Sequence, residues 1–155
     1  MHQNNTENNI LGWREWIAFP DLGLPLIKAK VDTGAKTTCL HAFEVESFMQ
    51  DGSEWLNFKV HPHQDDFETV VNCTAPVFDK RAVTDSGGHS EERFVVKSLI
   101  HVGHWKQEVE ITLTARDNMK FRVLLGRNAI TAGQFMVNPA KAWLQAKPVT
   151  NLETQ

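Results

Sequence analysis

Val31-Asp-Thr-Gly-Ala-Lys-Thr-Thr38 is the stretch on which the reading of this chain turns. It follows Leu26–Val31 (LIKAKV), where apolar and basic residues alternate with the period-two pattern of a strand that buries one face. An aspartate at the end of such a strand is placed to face a groove. The adjoining threonine hydroxyl can lock neighbouring backbone, and glycine lets backbone and ligand approach closely. Alone, Asp32-Thr33-Gly34 also suits an ordinary turn, so the rest of the chain must decide its meaning.

The chain has 155 residues, 41% hydrophobic and 23% charged, with a formal net charge of −3. Those values suit one globular domain with its own core. They give no overall attraction to nucleic acid or anionic membrane, and no apolar run approaches membrane-spanning length. Residues 1–12 are expected to be a disordered tail, 13–147 the domain and 148–155 a flexible end. Met1–Asn9 is polar and lacks the basic and apolar regions of a signal peptide, so a cytoplasmic location is expected. Cys39 and Cys73 show no paired spacing and are expected to be buried free thiols.

The body reads as short strands. Trp13–Phe19 is aromatic and β-branched, with turn residues at Pro20–Gly23. Asp51-Gly52 predicts a hairpin between Phe48-Met49 and Trp55–Phe58. Phe94–Val102 and Val109–Thr114 are further strands, and Asp117-Asn118 turns the second towards Phe121–Leu125. A short helix is expected over Asn128–Gly133, and a further candidate segment, Ala140–Ala146, is bracketed by Pro139 and Pro148. The fold class is therefore all-β.

Phe121-Arg-Val-Leu-Leu-Gly-Arg-Asn128 supplies the missing context. An early VDTGA paired with a late LLGRN resembles the retropepsins, the small dimeric aspartic proteases of retroviruses. The longer run Lys30–Thr38, with Leu40-His41-Ala42, Glu92-Arg93, Glu110–Leu113, Arg116 and Met119–Arg127, resembles a bacterial retropepsin-like family usually labelled "ATP-dependent zinc protease". That resemblance implies a closed retropepsin-like barrel, with a short helix after Gly-Arg-Asn. It implies catalysis by Asp32, an active-site loop of Thr33, Gly34 and Ala35, and possible partnership with an ATP-grasp glutamate ligase. The label's ATP has no support in the residues, because no phosphate-cradling glycine motif occurs. For zinc, His61-Pro62-His63 is a candidate pair; His-Glu-x-x-His and paired-cysteine spacings are absent. No cofactor is expected.

Aspartic-protease chemistry needs two carboxylates sharing a proton. Asp85, in Thr84-Asp-Ser-Gly87, mimics a second loop but follows Asp32 too closely for a complete second lobe. The resemblance instead makes Ser86–Ser90 the tip of a flap, with Gly87 and Gly88 over the substrate, and Glu44 to about Phe78 a hairpin insertion. The second carboxylate then comes from a second copy across a two-fold axis, so a homodimer is expected.

Lys36 stands where the viral enzymes carry an acidic residue that pairs with the arginine of Gly-Arg-Asn. Lys36 and Arg127 would then share the groove, which must be open to water or filled by an anion. The expected ligand is an acidic peptide or protein tail, a glutamate-rich one among them. Alternatively Lys36 faces solvent and Arg127 pairs with Glu92 or Asp117. Competing functions are a non-catalytic acidic-peptide-binding or ligase-regulating module and a zinc-dependent hydrolase.

Overall fold

The computed structural model describes residues 9–116 and 119–149. Their strands are β1 (Ile10–Leu11), β2 (Arg14–Phe19), β3 (Leu24–Val31), β4 (Thr38–His41), β5 (Phe43–Gln50), β6 (Ser53–Val60) and β7 (Val71–Pro76). The chain continues through β8 (Asp79–Thr84), β9 (Ser90–Val102), β10 (Trp105–Thr114), β11 (Val123–Leu125), helix α1 (Arg127–Ala132) and β12 (Met136–Val137). The Asp117-Asn118 turn lies outside the described residues.

Six strands close a ring in the order β10-β4-β11-β3-β2-β9, with β9 pairing back onto β10. β10–β4 and β11–β3 are parallel; the remaining ring pairs are antiparallel. The expected closed barrel is present. β8 hangs on the free side of β9, so the β8–β9 hairpin projects from the ring.

Local sequence explains the strand ends. Pro20–Leu22 makes a 3-10 turn, and Gly23, at φ 77°, takes the left-handed conformation that returns the chain into β3. Asp51 and Gly52 both have positive φ, 53° and 79°, between the paired residues Gln50 and Ser53. Two left-handed residues suit the twist of a two-residue hairpin. The expected hairpin insertion is larger than a hairpin, because Val71–Pro76 adds a third strand and β5-β6-β7 form a separate sheet. Alternating inward residues of β7, Cys73 and Ala75, reach the common core.

That core joins Ile17, Phe19, Leu24 and Ile27 of the β2–β3 hairpin to Leu40, Leu56, Phe58, Ile100, Ile111 and Leu125. Truncating a side chain as enclosed as Phe58 typically costs about 3–5 kcal/mol. Both cysteines are free and buried, as expected.

Two terminal segments differ from expectation. Ile10–Leu11, placed in the tail by composition, pairs in parallel with Met136–Val137, and Leu11 is fully buried. Residues 141–149 form neither helix nor strand; a buried side chain holds them instead. Glu15 is fully enclosed, and its Oε2 accepts hydrogen bonds from Gly12 N (2.7 Å) and Leu144 N (3.0 Å). Its Oε1 accepts from Gln145 N at 3.0 Å. Gly12 is a close approach, since a Cβ there would lie 2.3 Å from the Lys141 carbonyl oxygen.

Candidate active site

β3 delivers Asp32 to the floor of a cavity of about 1350 Å³. Its backbone N–H donates to Leu125 O at 2.9 Å, which continues the β3–β11 ladder to the site. One carboxylate oxygen accepts the Gly34 N–H at 3.0 Å, and Ala35 N donates to Asp32 O at 3.1 Å. A Cβ on Gly34 would sit 3.2 Å from that carboxylate oxygen. Glycine thus leaves Asp32 room while its amide fixes the carboxylate.

The loop is braced from behind. Thr38, fully buried, donates its N–H (2.8 Å) and hydroxyl (2.9 Å) to Asn128 Oδ1, and its hydroxyl oxygen accepts from Gly126 N at 3.1 Å. Asn128 Nδ2 donates to Glu110 O at 2.9 Å, tying the same residue to β10. Gly126 makes this packing possible, because a Cβ would lie 2.6 Å from the Thr37 carbonyl carbon. Arg127 N and Asn128 N donate to Ala35 O (2.8 Å) and Lys36 O (3.1 Å). Gly-Arg-Asn and Asp-Thr-Gly-Ala-Lys are therefore two halves of one rigid floor. Thr38 and Asn128 were not among the expected site residues, although both sit within the motifs that identified it.

Opposite the floor, the β8–β9 hairpin walls the cavity through Arg81–Ser86. Its tip closes by Asp85 N to His89 O (2.8 Å) and Gly88 N to Asp85 O (3.0 Å), with Gly88 at φ 86°. Asp85 Oδ1 accepts from Gly87 N and His89 N, both at 2.9 Å. Those donors, His89 N foremost, hold its carboxyl below the usual range. Asp85 therefore shapes the hairpin tip, where Gly87 and Gly88 are exposed.

Lys36 and Arg127 are both exposed. Arg127 Nη1 donates to Thr33 O at 2.9 Å, and its backbone adjoins that of Lys36. Among the described residues neither cation has a carboxylate partner, Glu92 included. The desolvation problem posed by two buried cations does not arise, because water reaches both. Of the other cations lining the cavity, Arg81 pairs with Asp79 and Glu110, each at 2.8 Å, and Arg93 with Glu91, whereas Lys97 lies over the Phe78 ring and neither it nor Arg116 has a carboxylate partner among the described residues. Arg93 also points Nη1 at the Cys39 sulfur, 3.5 Å away. His61 stacks on Phe43 and meets Thr69 O through Nδ1, and His63 is exposed. Among the described residues no group of three or more His, Cys, Asp or Glu is arranged to hold a metal ion.

A closed barrel whose Asp-Thr-Gly loop is locked from below by Leu-Leu-Gly-Arg-Asn, beneath an overhanging hairpin, is the retropepsin-like arrangement. Residues 10–148 match the RimB-like family model, described as retropepsin-like aspartic endopeptidase RimB, and the chain belongs to that family. Among curated relatives, a protein of Desulfotalea psychrophila named "Probable alpha-L-glutamate ligase" is 47% identical over 131 residues, 84% of this chain and 28% of that protein. A Shewanella pealeana protein of the same name is 42% identical over 134 residues, 86% of this chain and 29% of its own length. The chain thus spans under a third of the curated relatives it matches. A crystal structure of a Legionella pneumophila protein of unknown function superimposes with a TM-score of 0.73 at 28% identity, covering 88% of this chain and 97% of that one.

Proposed function

We propose that this chain is one half of a homodimeric aspartic peptidase that cuts acidic, glutamate-rich peptides or protein tails. The observation that carries the reading is Asp32, fixed by Gly34 N at the floor of a cavity that Lys36 also lines, with the Arg127 guanidinium bound to the adjoining Thr33 carbonyl. One Asp32 supplies one carboxylate, and a two-fold axis through the loop supplies the other. Two carboxylates that close share a proton: the ionised one activates water and the protonated one polarises the scissile carbonyl. Lys36 and Arg127 attract the acidic substrate, with the guanidinium suited to bidentate carboxylate binding.

The relatives' names support the choice of substrate. This region occurs at 42–47% identity within longer proteins named for glutamate ligation, so a glutamate tail made by an ATP-grasp ligase is the proposed target and that ligase the proposed partner. The test is Asp32→Asn. Hydrolysis of a glutamate-rich peptide should vanish while the dimer mass by sedimentation stays unchanged; surviving hydrolysis would refute the assignment. Inhibition by a pepstatin-like statine rather than by chelators separates this reading from a metal hydrolase. The two exposed cations also favour a second reading, a non-cutting acidic-peptide binder. Wild-type protein that binds the peptide without cleaving it would establish that one.

A further inference from the structure

Away from the cavity, the outer face of the β2–β3 hairpin carries an unusual concentration of cations and tryptophans. The register sets Arg14 directly opposite Lys30 and Trp16 opposite Lys28. Like charges directly opposite on adjacent strands are destabilising. The C-terminal segment held by Glu15 adds to the face. Trp143 stacks on Trp16, with centroids 5.6 Å apart at 28°, and the Arg14 guanidinium lies between Trp13 (4.4 Å) and Trp143 (4.8 Å). Lys28 and Lys147 place their ammonium groups 5.3 and 5.0 Å from the Trp16 ring.

The rings thus hold cations in place on a half-exposed surface. Among the described residues Arg14, Lys28, Lys30 and Lys147 have no carboxylate partner. The nearest carboxylate on β2, Glu15, is buried on the opposite face and occupied with three amides. Four positive charges therefore stand together on a chain whose net charge is −3.

We propose that this face is a docking surface for an acidic polypeptide segment, separate from the cavity and continuous with it along β3. Lys28 and Lys30 lie on the strand that ends at Asp32, and Lys28 is about 13 Å from it at about 3.3 Å of rise per residue. An extended chain bound on the face leads towards the catalytic loop. Charge complementarity selects the occupant. A second copy would oppose the same four cations to each other if the faces met. Nucleic acid would need open aromatic faces for base stacking, whereas Trp16 and Trp143 already cover one another and their cations. Carboxylates spaced along a peptide need only the charges.

Binding of a fluorescent dodecaglutamate to the full chain carrying Asp32→Asn, followed by anisotropy, tests the surface without cleavage. Lys28→Glu with Lys147→Glu should weaken binding at least tenfold, and the milder Lys28→Gln with Lys147→Gln about threefold, with the circular dichroism spectrum retained. Raising the salt concentration should weaken binding to the unreversed face. Unchanged affinity in both doubles would overturn the proposal, as would an effect confined to Lys36→Gln, which reports the cavity alone. Tighter binding of an oligouridylate of equal charge would assign the face to nucleic acid instead, and a change in the mass of the assembly by sedimentation on reversal would assign it to a second copy. If wild-type protein fails to cut the peptide while the Lys28 and Lys147 effect persists, the peptidase reading falls and the docking surface stands.

Discussion

Replacing Glu15 should loosen the chain ends by an amount that follows from its three hydrogen bonds. In Glu15→Ala the Gly12 N–H is left buried without an acceptor, at about 2 kcal/mol, while the Leu144 and Gln145 amides are partly accessible and recover part of their loss from water. The gain from no longer desolvating a carboxylate offsets some of this. The net is about 3 kcal/mol. Glu15→Gln keeps the shape. With its oxygen in the Oε2 position it retains the bonds from Gly12 and Leu144, but its NH2 then confronts the Gln145 N–H, giving a loss of about 1–2 kcal/mol. At this chain length about 3 °C of melting temperature corresponds to each kcal/mol, so losses of about 9 °C and about 3–6 °C are expected. Urea unfolding and thermal melts measure both, and near-ultraviolet circular dichroism reports the Trp16–Trp143 stack, which should weaken in Glu15→Ala. An alanine variant within about 0.5 kcal/mol of wild type, or a glutamine variant worse than alanine, would refute the reasoning.

Asn128→Ala removes an acceptor shared by two Thr38 donors and a donor to β10, and should destabilise by about 2–4 kcal/mol in urea and, on the proposed peptidase reading, sharply reduce hydrolysis; Asn128→Asp keeps the acceptor but sets a carboxylate oxygen against the Glu110 carbonyl, so it should recover only part of the loss. Asp66 accepts from the Thr69 N–H, its hydroxyl and Glu68 N, which lower its pKa from 3.8 to about 2. A depressed carboxyl contributes stability above its unfolded pKa that is lost as pH falls from about 4 through about 2. Asp66→Asn should therefore flatten that part of the acid-unfolding curve, and an identical curve would count against the assignment. Burial pushes the Cys73 thiol up to about 12 and raises Cys39 as well. An aromatic disulfide reagent at mildly alkaline pH should label neither thiol until denaturant is added; rapid native labelling would contradict their placement.

Much of the framework was legible because its signals are local. Alternation in LIKAKV marks β3, positive-φ residue types at Asp51-Gly52 mark the β5–β6 turn, and Gly126 marks the close packing behind the Asp32 loop. β4 escaped because Thr38, Cys39, Leu40 and His41 are all buried, so the strand has no alternation and carries polar residues whose partners are distant. β8, which reads DKRAVT, is polar because it hangs off the ring and only Arg81 and Val83 are even partly covered. Ile10–Leu11 is too short to show a period, and its partner lies at the other end of the chain. The Glu15 clasp is illegible for the same reason: a glutamate within an aromatic strand reads as a solvent-facing residue until the segment it holds is known. Within the site, Asp32 and its loop follow from the motif, whereas the open setting of Lys36 and Arg127 depends on how the two loops meet.

The parallel pairing of Ile10 with Met136, reinforced by Gln145 Nε2 donating to Ile10 O at 2.8 Å, brings the two extremities of the fold to one place. A short linker could therefore join them, with new ends opened at the Asp51-Gly52 tip, and the barrel's closure would be preserved. The same proximity lets the whole fold be spliced into a surface loop of another protein as a cassette. Entry and exit would share one doorway, leaving the cavity and its overhanging hairpin clear of the host.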